Sequence, residues 1–198
     1  MIIDISSYNG KIDFGKMMRE EPPERIIMRG TVKSGELDTR LIENINGYVQ
    51  ACTNYNQKNI PLDIYKFSYA RSHAGACVEL YNLISKLKSK GIFMLVNTIW
   101  LDLEDFDGRS HTTKECAEII AAYAQICRDF GVKFGIYCNY NYITRIVPKW
   151  ANMFDLWVAR YNKELGDIGD FNAIMWQYTS TGTVAGITGN VDISRYIV

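Results

Sequence analysis

Short apolar runs alternate along this chain with stretches in which apolar side chains recur every three or four residues. Runs of the first kind occupy residues 1–4, 25–29, 62–69, 93–104, 134–139, 155–161, 173–178 and 190–193. All but the fourth have strand length, and the fourth contains a strand that runs into carboxylates. Within the third, alternation puts Tyr65, Phe67 and Tyr69 on one side. The second kind predicts helices. Residues 39–58 carry Leu41, Ile42, Ile45, Tyr48, Val49, Cys52 and Tyr55 on one helical face. Residues 74–89 do the same with Cys77, Leu80, Tyr81, Ile84 and Leu87, and Gly91 ends the segment. A shorter helix over 12–19 is stopped by Pro22 and Pro23. Thr112 and Glu115 form a capping box. The helix they open buries Ile119, Ile120, Tyr123, Ile126, Cys127 and Phe130 before Gly131.

Through the fifth strand, each strand is followed by a helix-like segment, and such alternation argues for parallel strands. Later connections are shorter, and the last is Gly-rich, from Gly182 to Gly189. Eight such strands predict an α/β fold: a small, distorted β/α (TIM-like) barrel with short or missing helices in its C-terminal third. Residues 1–198 are expected to form one domain, with no linker, internal repeat or separate second domain visible. About 250 residues is usual for such a barrel, so this one is compact. An open doubly wound sheet is the alternative. No glycine-rich phosphate loop follows a strand, so no nucleotide cofactor is expected.

Composition narrows the function. The 22 basic and 22 acidic residues give a formal net charge of zero, without a basic stripe. That excludes an ordinary nucleic-acid binder and a polybasic membrane anchor. No apolar window is long enough to span a membrane. The N-terminus has no basic and apolar leader pattern, so no signal peptide is expected in this chain. The five cysteines, Cys52, Cys77, Cys116, Cys127 and Cys138, are odd in number and lack C-x-x-C spacing. They are expected as small buried hydrophobes in a reducing compartment. The two histidines, His73 and His111, have no ligand spacing, so no metal is expected. A monomer with no cofactor is expected.

The candidate chemistry begins at Trp100-Leu101-Asp102-Leu103-Glu104-Asp105. On a strand, Asp102 and Glu104 share a face, with Cα atoms ~6.6 Å apart at a rise of ~3.3 Å per residue. Leu101 and Leu103 face the opposite way, into packing. Like charges at that range push one carboxyl up, which yields a proton donor beside an anion. A solvated strand end would show the same short pattern, so the other strand ends decide. In a closed barrel Asp4, at the end of the first strand, meets Asp192, at the start of the last. Catalytic groups of parallel barrels gather at the C-terminal strand ends. Tyr65, Phe67, Tyr69, Tyr137, Tyr161, Trp176 and Tyr178 also lie at strand ends. Acids ringed by aromatics suit a polysaccharide, whose rings present apolar C–H faces. Ordinary barrel packing is the alternative for each aromatic taken alone.

Seven segments together resemble glycoside hydrolase family 25, the Chalaropsis-type lysozymes (N-acetylmuramidases) of bacteria, phages and fungi. They are Asp4-Ile5-Ser6-Ser7-Tyr8-Asn9-Gly10, Asp38 with Asn44, Ile64-Tyr65-Lys66-Phe67-Ser68-Tyr69-Ala70, the carboxylate strand, Gly135-Ile136-Tyr137-Cys138-Asn139, Trp157-Val158-Ala159-Arg160-Tyr161, and the tail. The tail, Met175-Trp176-Gln177-Tyr178-Thr179-Ser180 with Gly189-Asn190-Val191-Asp192, is the most specific.

The resemblance implies a groove on the C-terminal face of the barrel. It implies hydrolysis of the β-1,4 bond between N-acetylmuramic acid and N-acetylglucosamine in bacterial peptidoglycan, by the retaining route. It implies Glu104 as general acid, supported by Asp102, Asp4 and Asp192. Asp102, deeper in the barrel, is expected to stay ionised and to bind the acetamido N–H. Tyr65, Phe67, Tyr137, Tyr161, Trp176, Gln177 and Tyr178 are expected to bind substrate. The implied place of action is the bacterial wall, reached as a phage endolysin released from the cytoplasm or as a secreted protein without its leader. Lys66 stands where the family often has His, and the alternation turns it away from Tyr65. The short 31–36 loop is expected to open one end of the groove. A hydrolase of chitin-like polymers, a non-catalytic wall-binding module and a purely structural barrel are the competing readings. The tail argues against the first, and the presence of all four acids argues against the second. The aromatic and acidic rim argues against the third.

Overall fold

A computed structural model describes residues 1–57, 60–161, 164–171 and 173–197. Its eight strands close into one barrel in chain order. They are β1 (Ile2–Ile5), β2 (Arg25–Arg29), β3 (Leu62–Phe67), β4 (Thr98–Leu103), β5 (Lys133–Asn139), β6 (Asp155–Ala159), β7 (Ala173–Gly182) and β8 (Val191–Tyr196). Five helices follow the first five strands: α1 (Phe14–Glu20), α2 (Leu41–Asn54), α3 (His73–Ser89), α4 (Thr113–Asp129) and α5 (Tyr140–Arg145). The last residue of the second expected helix, Lys58, lies outside the described residues. The 93–104 run divides into a 3-10 turn, Phe93–Leu95, and a strand that stops at Leu103, one residue before Glu104.

The expectation of parallel strands holds from β1 through β7 and fails at β8, which runs antiparallel to both neighbours. The reason is chain length. Residues 183–190 join β7 to β8, and a parallel crossover needs roughly a dozen residues or more. A hairpin is what so short a connection allows.

Helix ends follow local chemistry. Asp13, Ser72, Thr112 and Asn139 cap α1, α3, α4 and α5, each accepting a backbone N–H through its side chain. The capping box of Thr112 and Glu115 is present in both directions. The outward faces of the strands pack against the helices in one continuous core that includes Leu101, Leu103, Ile119, Ile120 and Tyr123. The five cysteines are unpaired, and only Cys77 is not fully buried.

Inside the barrel, alternation builds layers. Ile2, Ile27, Trp100, Trp157 and Met175 fill the middle. Trp100 donates to Asp63 Oδ2 at 2.7 Å, and Trp157 donates to Ser194 Oγ at 3.0 Å. The two indoles meet edge to face at 5.8 Å between centroids. Gly135 makes room for Trp100. A Cβ there would stand 2.3 Å from the indole Cζ3. Gly135→Ala should therefore cost about 2 kcal/mol or more through overpacking. Denaturant unfolding reads that as a lower midpoint at unchanged slope.

Candidate active site

The next layer up is polar, because the same alternation that sends Ile2, Ile27, Trp100 and Met175 inward sends Asp4, Arg29, Asp102 and Gln177 inward two residues later. A cavity of about 480 Å³ opens above them. Asp4, Asp102, Glu104 and Asp192 line it, together with Tyr65, Phe67, Tyr137, Tyr161 and Gln177. Asp4 and Asp192 are directly paired across β1 and β8. Asp102 is level with Phe67 on β3 and Tyr137 on β5. Glu104 is half-buried, and Asp102 and Asp4 are buried.

Gln177 holds this layer together. Its Nε2 donates to Asp4 Oδ2 at 2.9 Å, and its Oε1 accepts from the hydroxyls of Tyr137 at 2.8 Å and Tyr161 at 2.9 Å. Both hydroxyls are donated to Gln177, and the Tyr137 ring also packs against Trp157, with centroids 4.4 Å apart.

All four carboxyls titrate above their ordinary range. Burial, then Asp192, pushes Asp4 up strongly, opposed by the Gln177 amide. Burial, then Glu104 and Asp4, pushes Asp102 up strongly, opposed by Lys66. Burial, then Asp105 and Asp192, raises Glu104. Burial raises Asp192. Burial and the neighbouring acids therefore work against the expectation that Asp102 stays ionised, with Lys66 on its side. Its Oδ1 is buried without a hydrogen-bond partner among the described residues, so no hydrogen bond at that oxygen favours the charge. The expectation that three aspartates raise Glu104 is also modified: burial leads, and the neighbouring Asp105 outranks the others.

The sign of the consequence for stability follows. Asp102 binds its proton more tightly folded than unfolded, so stability falls as pH rises above 3.8 toward the folded value. Asp102→Asn removes that slope. The variant should melt above the wild type at neutral pH, and the gap should close below pH 3.8, where the carboxyl is protonated in both states. Thermal melts across that range measure it.

Two expected ligand contacts lie elsewhere. Trp176 and Tyr178 alternate with Gln177, so they face out of the barrel. The Trp176 indole donates to the Arg160 carbonyl at 2.8 Å, and the Arg195 guanidinium covers its ring at 4.6 Å. Tyr178 packs against Trp176, and neither lines the acid cavity. Lys66 also points away, as its alternation requires. Its ammonium is buried, donates to the Phe67 carbonyl, and lies 3.8 Å from Glu79 of α3.

The structure adds residues not anticipated as ligand contacts, Tyr8, Arg29, Thr31, Val32, Lys33 and Trp157, and places Tyr69, expected as a strand-end aromatic, in the same lining. Arg29 donates to Asp38 Oδ2 at 2.6 Å and to Ser7 Oγ at 2.7 Å, beneath the exposed Tyr8 ring at 4.7 Å. Burial opposes it, but the N–H groups of Arg40 and Ser7 and the Arg29 guanidinium hold Asp38 below the ordinary carboxylate value. Extending the strand alternation from Arg25 through Arg29 to Thr31 and Lys33 would have marked this wall. A second cavity of about 490 Å³ shares Glu104 and Tyr161 with the first, and is otherwise lined by Asn139, Tyr140, Asn141, Ala159 and Arg160. Glu104 thus stands between two hollows of one groove. A larger hollow of about 700 Å³, between the β1–α1 segment, α2 and the β7–β8 connection, contains none of the four acids.

An eight-stranded barrel with a carboxylate cluster in an aromatic-walled cavity at one end brings together the groups that glycosidic bond cleavage needs. The family model for glycosyl hydrolases family 25 matches residues 3–187, and the chain belongs to that family. Among solved structures, the modular autolysin LytC of Streptococcus pneumoniae, in complex with a synthetic peptidoglycan ligand, superposes with a TM-score of 0.80 at 27% identity. That match covers 99% of this chain and 46% of LytC. A bacterial lysozyme from Streptomyces coelicolor matches in fold at TM-score 0.76 and 19% identity, over 98% of this chain and 90% of that one. Counting factor 50 of Dictyostelium discoideum is 24% identical over 179 residues, 85% of this chain and 57% of that protein. The chain thus spans about half the length of LytC and of Counting factor 50.

Proposed function

We propose that this chain is an N-acetylmuramidase that hydrolyses the β-1,4 bond between N-acetylmuramic acid and N-acetylglucosamine in bacterial peptidoglycan, acting at the wall. The observation that carries the proposal is the convergence of Asp4, Asp102, Glu104 and Asp192 in one aromatic-walled cavity. Likeness to LytC, solved with a peptidoglycan ligand, supports the choice of polymer.

In this reading Glu104, whose carboxyl burial and then Asp105 and Asp192 raise above the ordinary value, gives its proton to the glycosidic oxygen as the anomeric bond breaks. Its place between the two hollows lets sugar lie on either side. Asp102 is the deeper group. Its unpartnered Oδ1 accepts the 2-acetamido N–H, which favours the ionised carboxylate and prepares the acetamido oxygen to attack the anomeric carbon. Asp4, Asp192 and Gln177 hold the geometry of the layer in which the oxocarbenium charge develops.

The test is soluble-fragment release from purified peptidoglycan beside chitin. Release from peptidoglycan alone is expected. Release from chitin alone would replace the substrate assignment, and sedimentation with the wall without release would make the chain a binding module.

A further inference from the structure

The acids of the cavity face one another across the ring: Asp4 on β1 and Asp192 on the adjacent β8, and Asp102 and Glu104 on and just after β4. The chain leaving β2 supplies the opposite chemistry. Arg29, Thr31, Val32 and Lys33 line the cavity from the end of β2 onward, and they include every cation in its lining. Arg29 is already committed to Asp38 and Ser7. Lys33 is not committed in the same way. Its ammonium sits 3.0 Å from both Asp107 oxygens and 5.6 Å from the Tyr69 ring centroid, with side chains 63% and 69% exposed. So exposed a pair contributes little, and a second anion can take Asp107's place.

Thr31 is the independent observation. It is 1% exposed and lines the cavity, and its Oγ1 has no hydrogen-bond partner among the described residues. Its backbone is fixed by an antiparallel bridge to Leu37. A buried hydroxyl without a partner is costly, and valine would fill the same space without that cost. A ligand that accepts the hydroxyl proton removes the anomaly. Thr31 is two strands from Asp102, roughly 10 Å at the usual ladder spacing. That exceeds the separation of the acetamido and lactyl groups on one sugar, whose carbons are adjacent, and fits a carboxylate on the stem peptide or on the lactyl arm of another muramoyl residue of the strand.

We propose that Thr31 and Lys33 form an anion-reading point that seats a carboxylate carried on the muramoyl arm of the substrate. The assignment rests on the muramidase reading and deepens it. Muramic acid differs from glucosamine by its lactyl arm. Among the residues lining the cavity, only the β2 wall offers an anionic arm cations. The carboxylate has two sources: the lactyl group itself in peptide-free strands, or the stem peptide in substituted ones.

Calorimetric titration on a Glu104→Gln parent tests this with three tetrasaccharides: peptide-free muramoyl, peptide-substituted muramoyl, and chitotetraose. Lys33→Met should weaken one or both muramoyl ligands by roughly tenfold, and chitotetraose by less than about twofold. Loss on the peptide-free glycan identifies the lactyl carboxylate, and loss confined to the substituted glycan identifies the stem. Thr31→Val should show the same selectivity and melt no lower than its parent. Equal losses on all three ligands, or none on any, would overturn the proposal. A lowered melting temperature for Thr31→Val would make that hydroxyl structural and overturn its part. Failure of the muramidase reading is read separately, as intact wild type releasing nothing from peptidoglycan.

Discussion

Glu104→Gln should lower turnover on peptidoglycan by about 10²–10⁴-fold, the usual contribution of a positioned general acid, while glycan binding persists. The amide keeps the shape of the side chain and loses the proton. Glu104 is half-buried, follows directly on β4 and borders both hollows of the groove, so the substitution disturbs no core packing. The wild-type rate should fall on the alkaline side as Glu104 loses its proton, at a pH above the ordinary glutamate value of 4.5, because burial and then Asp105 and Asp192 raise it. That limb should be missing from the residual activity of the variant. Rate profiles with soluble wall fragments measure both effects. A variant retaining more than about a tenth of wild-type turnover would remove Glu104 from the acid's role.

Asp102→Asn is the second large effect. It should reduce turnover by about 10²–10³-fold, comparable to losing one preorganised electrostatic contact, and leave affinity nearly unchanged. The same variant is expected to be the more stable protein at neutral pH. A buried carboxyl without a partner costs folding free energy. Gain of stability with loss of rate distinguishes a group kept for chemistry from one kept for structure. Near wild-type turnover would eliminate the acetamido-orienting role.

Much of this arrangement was legible before the fold was known. Strand alternation placed Asp102 and Glu104 together and set Leu101 and Leu103 into packing. It also turned Lys66 away from the groove, where it lies against Glu79. Closure of the barrel brought Asp4 against Asp192. What escaped notice had physical causes. The short connection at 183–190 already forbade a parallel β8, but the regular β–α rhythm upstream outweighed it. Trp176 and Tyr178 were expected in the groove because they are aromatic and lie near a strand end. Period-two alternation about Gln177 sends them outward. The β2 wall escaped because Thr31 and Lys33 lie past the end of an apolar run, where alternation is no longer marked by hydrophobic residues. The state of Asp102 depends on burial and on an absent partner, neither of which a sequence displays.

The central claim is that Glu104 and its neighbours cut the glycan strand on the reducing side of N-acetylmuramic acid. Identification of the new reducing ends formed from purified peptidoglycan, with wild type and Glu104→Gln side by side, tests it most directly. N-acetylmuramic acid ends with wild type and almost none with the variant are the predicted result. N-acetylglucosamine ends, or muramic ends formed equally by both proteins, would contradict it.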